Sequence, residues 1–111
     1  MRIEKMRTIK YRDELLESLK DPREASAYLN AALEEKDSRL FLVALRNVAE
    51  AFGGLLRVSK RARLNRENLY RMLSKRGNPE ISSLEAVLEA VGLRLAVEVR
   101  KDRRKRPLLA A

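Results

Sequence analysis

The sequence contains no cysteine, no histidine and no tryptophan. A chain without cysteine forms no disulfide and has no thiol nucleophile, and without histidine as well it cannot build a Cys/His zinc site. The imidazole that most often serves as a general base is also missing. The carboxylates are scattered along the chain rather than paired. We therefore expect neither a metal nor a cofactor, and no enzymatic role.

Long apolar runs are also missing. No segment approaches the roughly 20 apolar residues that a helix needs to cross a bilayer, and no signal-like segment opens the chain. We therefore expect a soluble cytoplasmic protein that does not bind membranes. Apolar residues make up 45% of the 111 residues but aromatic residues only 5%, so Leu, Val and Ala must fill most of the interior. This length suits one domain.

The charge is strongly positive and unevenly distributed. The formal net charge is +9, which favours anionic partners. Residues 12–50 hold nine acids and six bases, whereas residues 55–76 hold eight bases and one acid. A second basic cluster, RKDRRKR, occupies residues 100–106. We predict a basic C-terminal tail over 101–111, which either is solvated or contacts phosphates or a partner.

Capping signals and apolar spacing predict a mainly α fold, with a bundle of five to six helices in a single domain over 12–100. Residues 1–11 show no clear periodicity and are predicted to form an N-terminal arm. Helices are predicted over 12–20, over 22–35 behind the cap Asp21, and from the cap Asp37 to about Phe52, followed by two helices within 55–76 and one behind the cap Ser82. Predicted core positions include Leu33 and Leu40.

The apolar spacing of residues 55–76 predicts two short helices joined by a tight turn. Leu55, Leu56 and Val58 give the first helix an apolar side, and Leu69, Met72 and Leu73 give the second a matching one. Asn65 is suited to cap the second helix, which would start at Arg66. The remaining polar residues are mostly basic, so the pair is predicted to be a helix-turn-helix that binds duplex DNA.

The segment LRLAVEVR after Gly92 alternates strictly between apolar and other residues. Its apolar positions Leu93, Leu95, Val97 and Val99 would share one face of a strand. A lone strand is unstable because its backbone groups need a neighbour, and only Thr8–Tyr11 offers a weak candidate. We therefore predict that the C-terminal strand pairs across a homodimer or with another protein.

Two long segments carry a family resemblance. The run DPREASAYLNAALEEKDSRLFLVALRNVAEAFGG and the later LYRMLSKRGNPEISSLEAVLEAVGLRL resemble addiction-module antidote proteins, the antitoxins of bacterial toxin–antitoxin pairs, within the phage-repressor-like helix-turn-helix class. The resemblance covers about Leu15 to Val97. Its more specific parts are Tyr28-Leu29-Asn30, Leu69-Tyr70-Arg71, Gly77-Asn78-Pro79 and Gly92-Leu93. It implies operator binding as a dimer and neutralisation of an RNA-cleaving toxin.

Two positions depart from that family's pattern. Ser59 stands where such units usually carry alanine, and Arg63 stands where they usually carry a glycine in the turn between the helices. Ser59 is small enough for close helix packing. A residue other than glycine at a positive φ costs roughly 1 kcal/mol or more, so either the turn at Arg63 adopts another conformation or the residue accepts the strain.

In a repressor-like unit the second helix lies in the major groove. Arg66 and Arg71 are suited to bidentate contacts with guanine, and Glu67 either accepts a hydrogen bond from cytosine or orients Arg71. The predicted phosphate contacts are Arg57, Lys60, Asn65, Asn68, Lys75 and Arg76. Tyr70 is expected to pack against the third helix or the strand.

Other functions fit the sequence less well. The first alternative is a protein-interaction module in which the helix pair is only a scaffold. The second is a basic RNA-associated protein, suggested by a pI near 10.4 but weakened by the scarcity of aromatic residues that could stack on bases.

Overall fold

A computed structural model of the chain describes residues 3–74 and 76–101, with the side chains of 8–74 and 76–101. The described residues form six helices and no strand, which confirms the prediction of a mainly α fold with five to six helices. The helices are α1 (Ile3–Ser18), α2 (Pro22–Glu34), α3 (Ser38–Ala51), α4 (Leu55–Ala62), α5 (Arg66–Met72) and α6 (Ile81–Ala90).

Two aspartates begin helices as predicted. The Asp21 carboxylate accepts from the backbone N–H of Arg23 at 2.9 Å, and the Asp37 carboxylate accepts from that of Arg39 at the same distance. Each satisfies one of the backbone donors that a helix start leaves without a partner.

The ends of α2 and α3 also agree with the predictions. Gly53 and Gly54, at φ +123° and +101°, turn the chain from α3 into α4.

The helix α3 forms the centre of the fold. It packs against α2, α1 and α4, while α4 packs in turn against α5 and α6. Leu45 and Ala49 of α3 are completely buried, as are Val58 and Leu69 on the helices beyond it. The hydroxyl of Tyr28, half-buried on α2, accepts a hydrogen bond from the Asn47 amide at 2.9 Å. The core is therefore built mainly of aliphatic side chains around one central helix.

Residues 3–11, which were predicted to belong to an N-terminal arm, are helical and form the first part of α1. The weak candidate for a second strand, Thr8–Tyr11, also lies within α1 and is therefore helical. Arg12 on α1 bonds the Asn47 and Glu50 side chains of α3, and Leu15, Leu16 and Leu19 join the core. Tertiary contacts thus stabilise a helix whose own sequence has little apolar periodicity.

Two predicted core positions are exposed. Leu33 on α2 is 53% exposed and Leu40 in the first turn of α3 is 43% exposed. Both lie near the loop that joins α2 and α3, although the adjacent residues Ala32 and Phe41 are buried. Helical spacing places a residue on a face but does not show how much of that face the neighbouring helix covers.

The helix α6 begins earlier than predicted. Its N-cap is Glu80 rather than Ser82, which lies within the first turn. The backbone N–H of Leu84 donates to the carbonyl oxygen of Glu80 at 3.0 Å, so the helical bonding starts there. None of the described side chains caps this end. Gly92, at φ +86°, follows the helix, and the Leu93 N–H donates to the Leu88 carbonyl oxygen at 2.8 Å.

The predicted C-terminal strand is absent from the described residues: those after Gly92 have no regular secondary structure up to residue 101. Leu93 is half-buried against the core, whereas Leu95, Val97 and Val99 are exposed. A strand requires a neighbour for its backbone hydrogen bonds, and the described part of the chain supplies none here. The homodimer pairing therefore stays a prediction.

Candidate nucleic-acid interface

The turn between α4 and α5 comprises residues 63–65. Arg63 adopts the left-handed conformation at φ 58° and ψ 40°. The backbone N–H of Leu64 donates to the carbonyl of Ser59 at 2.9 Å, and that of Arg63 to the carbonyl of Lys60 at 3.3 Å, which closes α4 in the manner of a glycine-type helix end. Of the two alternatives left by the sequence, Arg63 thus keeps the glycine-like turn and accepts the strain.

We expect Arg63→Gly to stabilise the fold by about 0.5–1 kcal/mol. The substitution removes about 1–2 kcal/mol of left-handed strain from the folded state. Part of this stabilisation is offset because glycine has more conformational freedom in the unfolded chain. Urea unfolding measures the change. Glu85→Gly, in the interior of α6 and exposed, is the control and should destabilise by about 1 kcal/mol. An unchanged or lower stability of Arg63→Gly would contradict the strained turn.

Asn65 caps α5 as predicted. Its side-chain oxygen accepts from the backbone N–H groups of Glu67, at 2.8 Å, and of Asn68, at 3.3 Å. The helix then runs from Arg66 to Met72. Because this oxygen is engaged in the cap, only the amide NH₂ of Asn65 remains free to contact a phosphate.

The two helices pack through small and aliphatic side chains. Val58 and Ser59 of α4 and Leu69 and Met72 of α5 are buried. The Ser59 hydroxyl donates to the carbonyl oxygen of Leu56 at 2.7 Å, so serine takes the place of alanine without leaving a buried donor unpaired. This packing sets the side of α5 that faces outward.

Beyond α5, Gly77 lies against the end of that helix. A β-carbon added there would stand 2.1 Å from the carbonyl oxygen of Met72. A side chain at this position would therefore displace the backbone of α5 or of the turn.

The outward side of α5 carries the three residues predicted to contact bases. Arg66, Glu67 and Arg71 are all exposed. At about 100° per residue, they fall within an arc of about 140° on the helix. Tyr70, which is 42% exposed, lies within the same arc, with the Arg46 guanidinium of α3 5.7 Å from its ring centre. Tyr70 thus contacts the third helix, as expected, yet remains partly open to solvent.

Among the described residues, no carboxylate forms an ion pair with a cation of α4 or α5. The four ion pairs among the described residues join Arg12 to Glu50, Lys20 to Glu17, Arg39 to Asp37, and Arg46 to Glu50. None involves α4 or α5, and within this part of the chain Glu67 does not pair with Arg71. The positive charge of this surface is therefore available to an external anion.

Five of the six residues predicted to contact phosphates are described, and all five are accessible. Arg57, Lys60, Asn65, Asn68 and Arg76 are exposed, while Lys75 lies outside the described residues. Arg57 places its guanidinium 5.5 Å from the ring centre of Phe52, so its position is partly fixed.

Arg61 has a contact that the sequence could not indicate. Its Nε donates to the carbonyl oxygen of Ala90 at 3.2 Å, and its guanidinium lies 5.3 Å from the Phe52 ring centre. The Ala90 carbonyl stands at the end of α6, where the helix dipole favours a cation. Arg61 therefore ties α4 to α6. Its partner lies 29 residues away, so no local signal could identify it.

Among the described residues, no cluster of three or more acidic side chains has the arrangement of a metal site. Within the same residues, none of the helices combines the length and apolarity that crossing a membrane requires.

Comparisons with known proteins identify the family. A family model described as "Probable addiction module antidote protein" matches residues 10–99. A Haemophilus influenzae protein described as "Uncharacterized protein" is 33% identical over 85 residues, which cover 77% of this chain and 87% of that protein. No solved structure matches significantly. The family match includes all of α2 to α6 together with the segment that follows α6. The chain therefore belongs to the family of probable addiction module antidote proteins.

Proposed function

We propose that this antidote is a sequence-specific DNA-binding protein that represses transcription from its own operator. The observation that carries the proposal is the exposed arc of Arg66, Glu67 and Arg71 on α5, which forms no ion pair among the described residues. In this proposal α4 and α5 are a repressor-like helix-turn-helix, and α5 lies in the major groove. The protein acts by binding and not by catalysis.

The arc has the chemistry for contacts with base edges. Arg66 and Arg71 can each donate two hydrogen bonds to O6 and N7 of guanine, and Glu67 can accept from N4 of cytosine. The absence of an ion pair between Glu67 and Arg71 within the described residues supports a separate contact for each. Bidentate guanine contacts contribute specificity, because each favours the correct base by roughly 1–3 kcal/mol.

Phosphate contacts are assigned to Arg57, Lys60, Asn65, Asn68, Lys75 and Arg76. They add affinity without sequence information, because every phosphate presents the same oxygens. Two copies of the chain would bind two half-sites about one helical turn, roughly 34–36 Å, apart.

We expect Lys60→Ala to weaken binding to all duplex sequences alike. The substitution removes one phosphate contact, so the slope of log affinity against log salt should fall by about 1. Titrations of operator and random duplexes at several salt concentrations measure both effects. Lys10→Ala, an exposed lysine on α1, is the control and should leave the slope unchanged. A selective loss on the operator alone would be inconsistent with a phosphate contact at Lys60.

The proposal is tested by a mobility-shift experiment with the DNA upstream of the chain's own gene. At physiological salt, that DNA should be bound in preference to a random duplex of equal length. If neither DNA is shifted, the α4–α5 helix pair is a scaffold and the chain is a protein-interaction module.

The antidote family implies a toxin partner, and we propose that this toxin cleaves RNA. The product of the adjacent gene is the natural candidate. Purified together, the two proteins should form a complex, and RNA cleavage by the toxin alone should stop when the antidote is added. A complex that leaves RNA cleavage unchanged would exclude this form of neutralisation.

A further inference from the structure

The chain that follows α6 leaves apolar side chains uncovered. Val97 is 99% exposed and Val99 is 93% exposed, the highest values among the large apolar residues that the structure describes as exposed. Within the described part of the chain, residues 94–101 take part in no backbone hydrogen bond. Both the apolar side chains and the backbone groups of this segment therefore lack a partner among the described residues of one copy.

A groove lies beside this segment. Its volume is about 940 Å³, with Leu29 and Leu33 of α2 and Phe41 of α3 on one side and Leu93 and Leu95 of the segment on the other. The exposure of Leu33 noted above results from this opening. Polar side chains line the groove as well, among them Ser26 and Asn30 of α2 and Arg94 and Glu98 of the segment. The groove is thus a mixed cleft with the segment as one wall.

The sequence of the segment is complementary to itself in one antiparallel register. If a two-fold axis passes through Ala96, Leu93 stands opposite Val99 and Leu95 opposite Val97. In the same register Arg94 of each copy stands opposite Glu98 of the other, so two opposite-charge pairs form on the other face. Every apolar position between 93 and 99 meets an apolar one, and every charge meets its opposite.

Neighbouring registers lack this complementarity. An axis through Val97 places Arg94 opposite Arg100 and Leu93 opposite Lys101, and an axis through Leu95 places Glu98 opposite Gly92. An axis midway between two residues pairs odd-numbered positions with even-numbered ones. Directly opposed residues share a face of the sheet, so apolar residues would then stand opposite polar ones. Like charges directly opposite each other are destabilising. The segment therefore specifies one register.

We propose that residues 93–99 of two copies pair as an antiparallel two-stranded ribbon centred on Ala96, which closes the groove beside α2. Val97 and Val99 of the second copy then stand beside Leu95 and Leu93, next to Leu33 and Phe41. A two-stranded ribbon alone is marginal in water, but this one can also pack on the apolar side chains that each groove contains. The pairing supplies the dimer in the proposed function and, for that role, rests on it.

Charge exchange tests the register. Arg94→Glu creates two Glu–Glu pairs in a homodimer, and Glu98→Arg creates two Arg–Arg pairs. Each variant alone should dimerise about tenfold more weakly than the original chain. A mixture of the two variants restores both opposite-charge pairs, so a heterodimer should dominate. The double variant R94E/E98R should dimerise as the original chain does.

Sedimentation without DNA measures the dissociation constants, and native mass spectrometry separates the heterodimer from either homodimer. Arg100→Glu is the control, because Arg100 stands opposite Gly92 and has no facing side chain in this register. It should leave dimerisation unchanged. The substituted side chains are exposed, and the helical circular dichroism of each variant shows that it folds.

Three results would each overturn the inference: a strict monomer at micromolar concentration, single variants that dimerise normally, or a mixture without excess heterodimer. Failure of the proposed function is distinguishable. A dimer with the charge-exchange behaviour but no preference for its upstream DNA supports the ribbon and rejects operator binding. A specific DNA complex formed by a chain whose dimerisation is unaffected by charge exchange supports operator binding and rejects the ribbon.

Discussion

Arg66→Ala and Arg71→Ala are each expected to weaken binding to the operator by about 5- to 150-fold, the equivalent of 1–3 kcal/mol. The loss on random duplexes should be smaller, since a random sequence rarely presents a guanine at the required position. Both side chains lie on the exposed arc of α5 and make no ion pair within the described residues. Competition titrations of operator against random DNA measure the change in preference.

A charge-preserving substitution separates base contact from simple attraction. Arg66→Lys retains the positive charge but loses the planar fork that bonds O6 and N7 of guanine together. It should lower the preference for the operator while keeping most of the affinity for random DNA. Arg23→Ala, an exposed arginine on α2, removes the same charge elsewhere and should change neither. If both arginine-to-alanine variants kept full preference, α5 would not be the helix that contacts bases.

The parts of this interface that could be predicted from the sequence are those determined by residues close in the chain. Asn65 caps α5 through backbone donors two and three residues ahead, so the start of that helix follows from local chemistry. The conformation of Arg63 does not follow from local sequence, because its strain competes with the hydrogen bonding of the whole turn. The bond from Leu64 to Ser59 closes that turn around a left-handed residue.

Features that depend on distant neighbours could not be predicted. Helix α1 is bonded to α3 through Arg12, whose partners Asn47 and Glu50 lie 35 and 38 residues away, and the contact between Arg61 and the Ala90 carbonyl spans 29 residues. The alternating segment after Gly92 has the pattern of a strand, but hydrogen bonding to a neighbouring strand decides whether a strand forms. The same alternation underlies the self-complementary register around Ala96. The alternating pattern therefore identifies the segment, but whether the segment forms a strand depends on a partner.

Leu45→Ala is expected to lower the free energy of unfolding by about 2–5 kcal/mol. Leu45 is completely buried on α3, the helix that contacts α1, α2 and α4. Its truncation removes apolar contacts and leaves a cavity at the centre of the fold. Domains of this size are typically stable by about 5–15 kcal/mol, so the loss is a large share of the total. Urea unfolding followed by circular dichroism measures it.

Leu40→Ala supplies the matched control, since it makes the same chemical change on the same helix at a side chain that is 43% exposed. Partial exposure reduces the transfer free energy that is lost, and the opening to solvent prevents a closed cavity, so the cost should stay below about 1.5 kcal/mol. Both variants should unfold in one transition, because α3 links the α1–α2 side of the bundle to α4 and the helices beyond it. Equal losses for the two variants, or two separate transitions for Leu45→Ala, would show that α3 does not unite the six helices in one cooperative core.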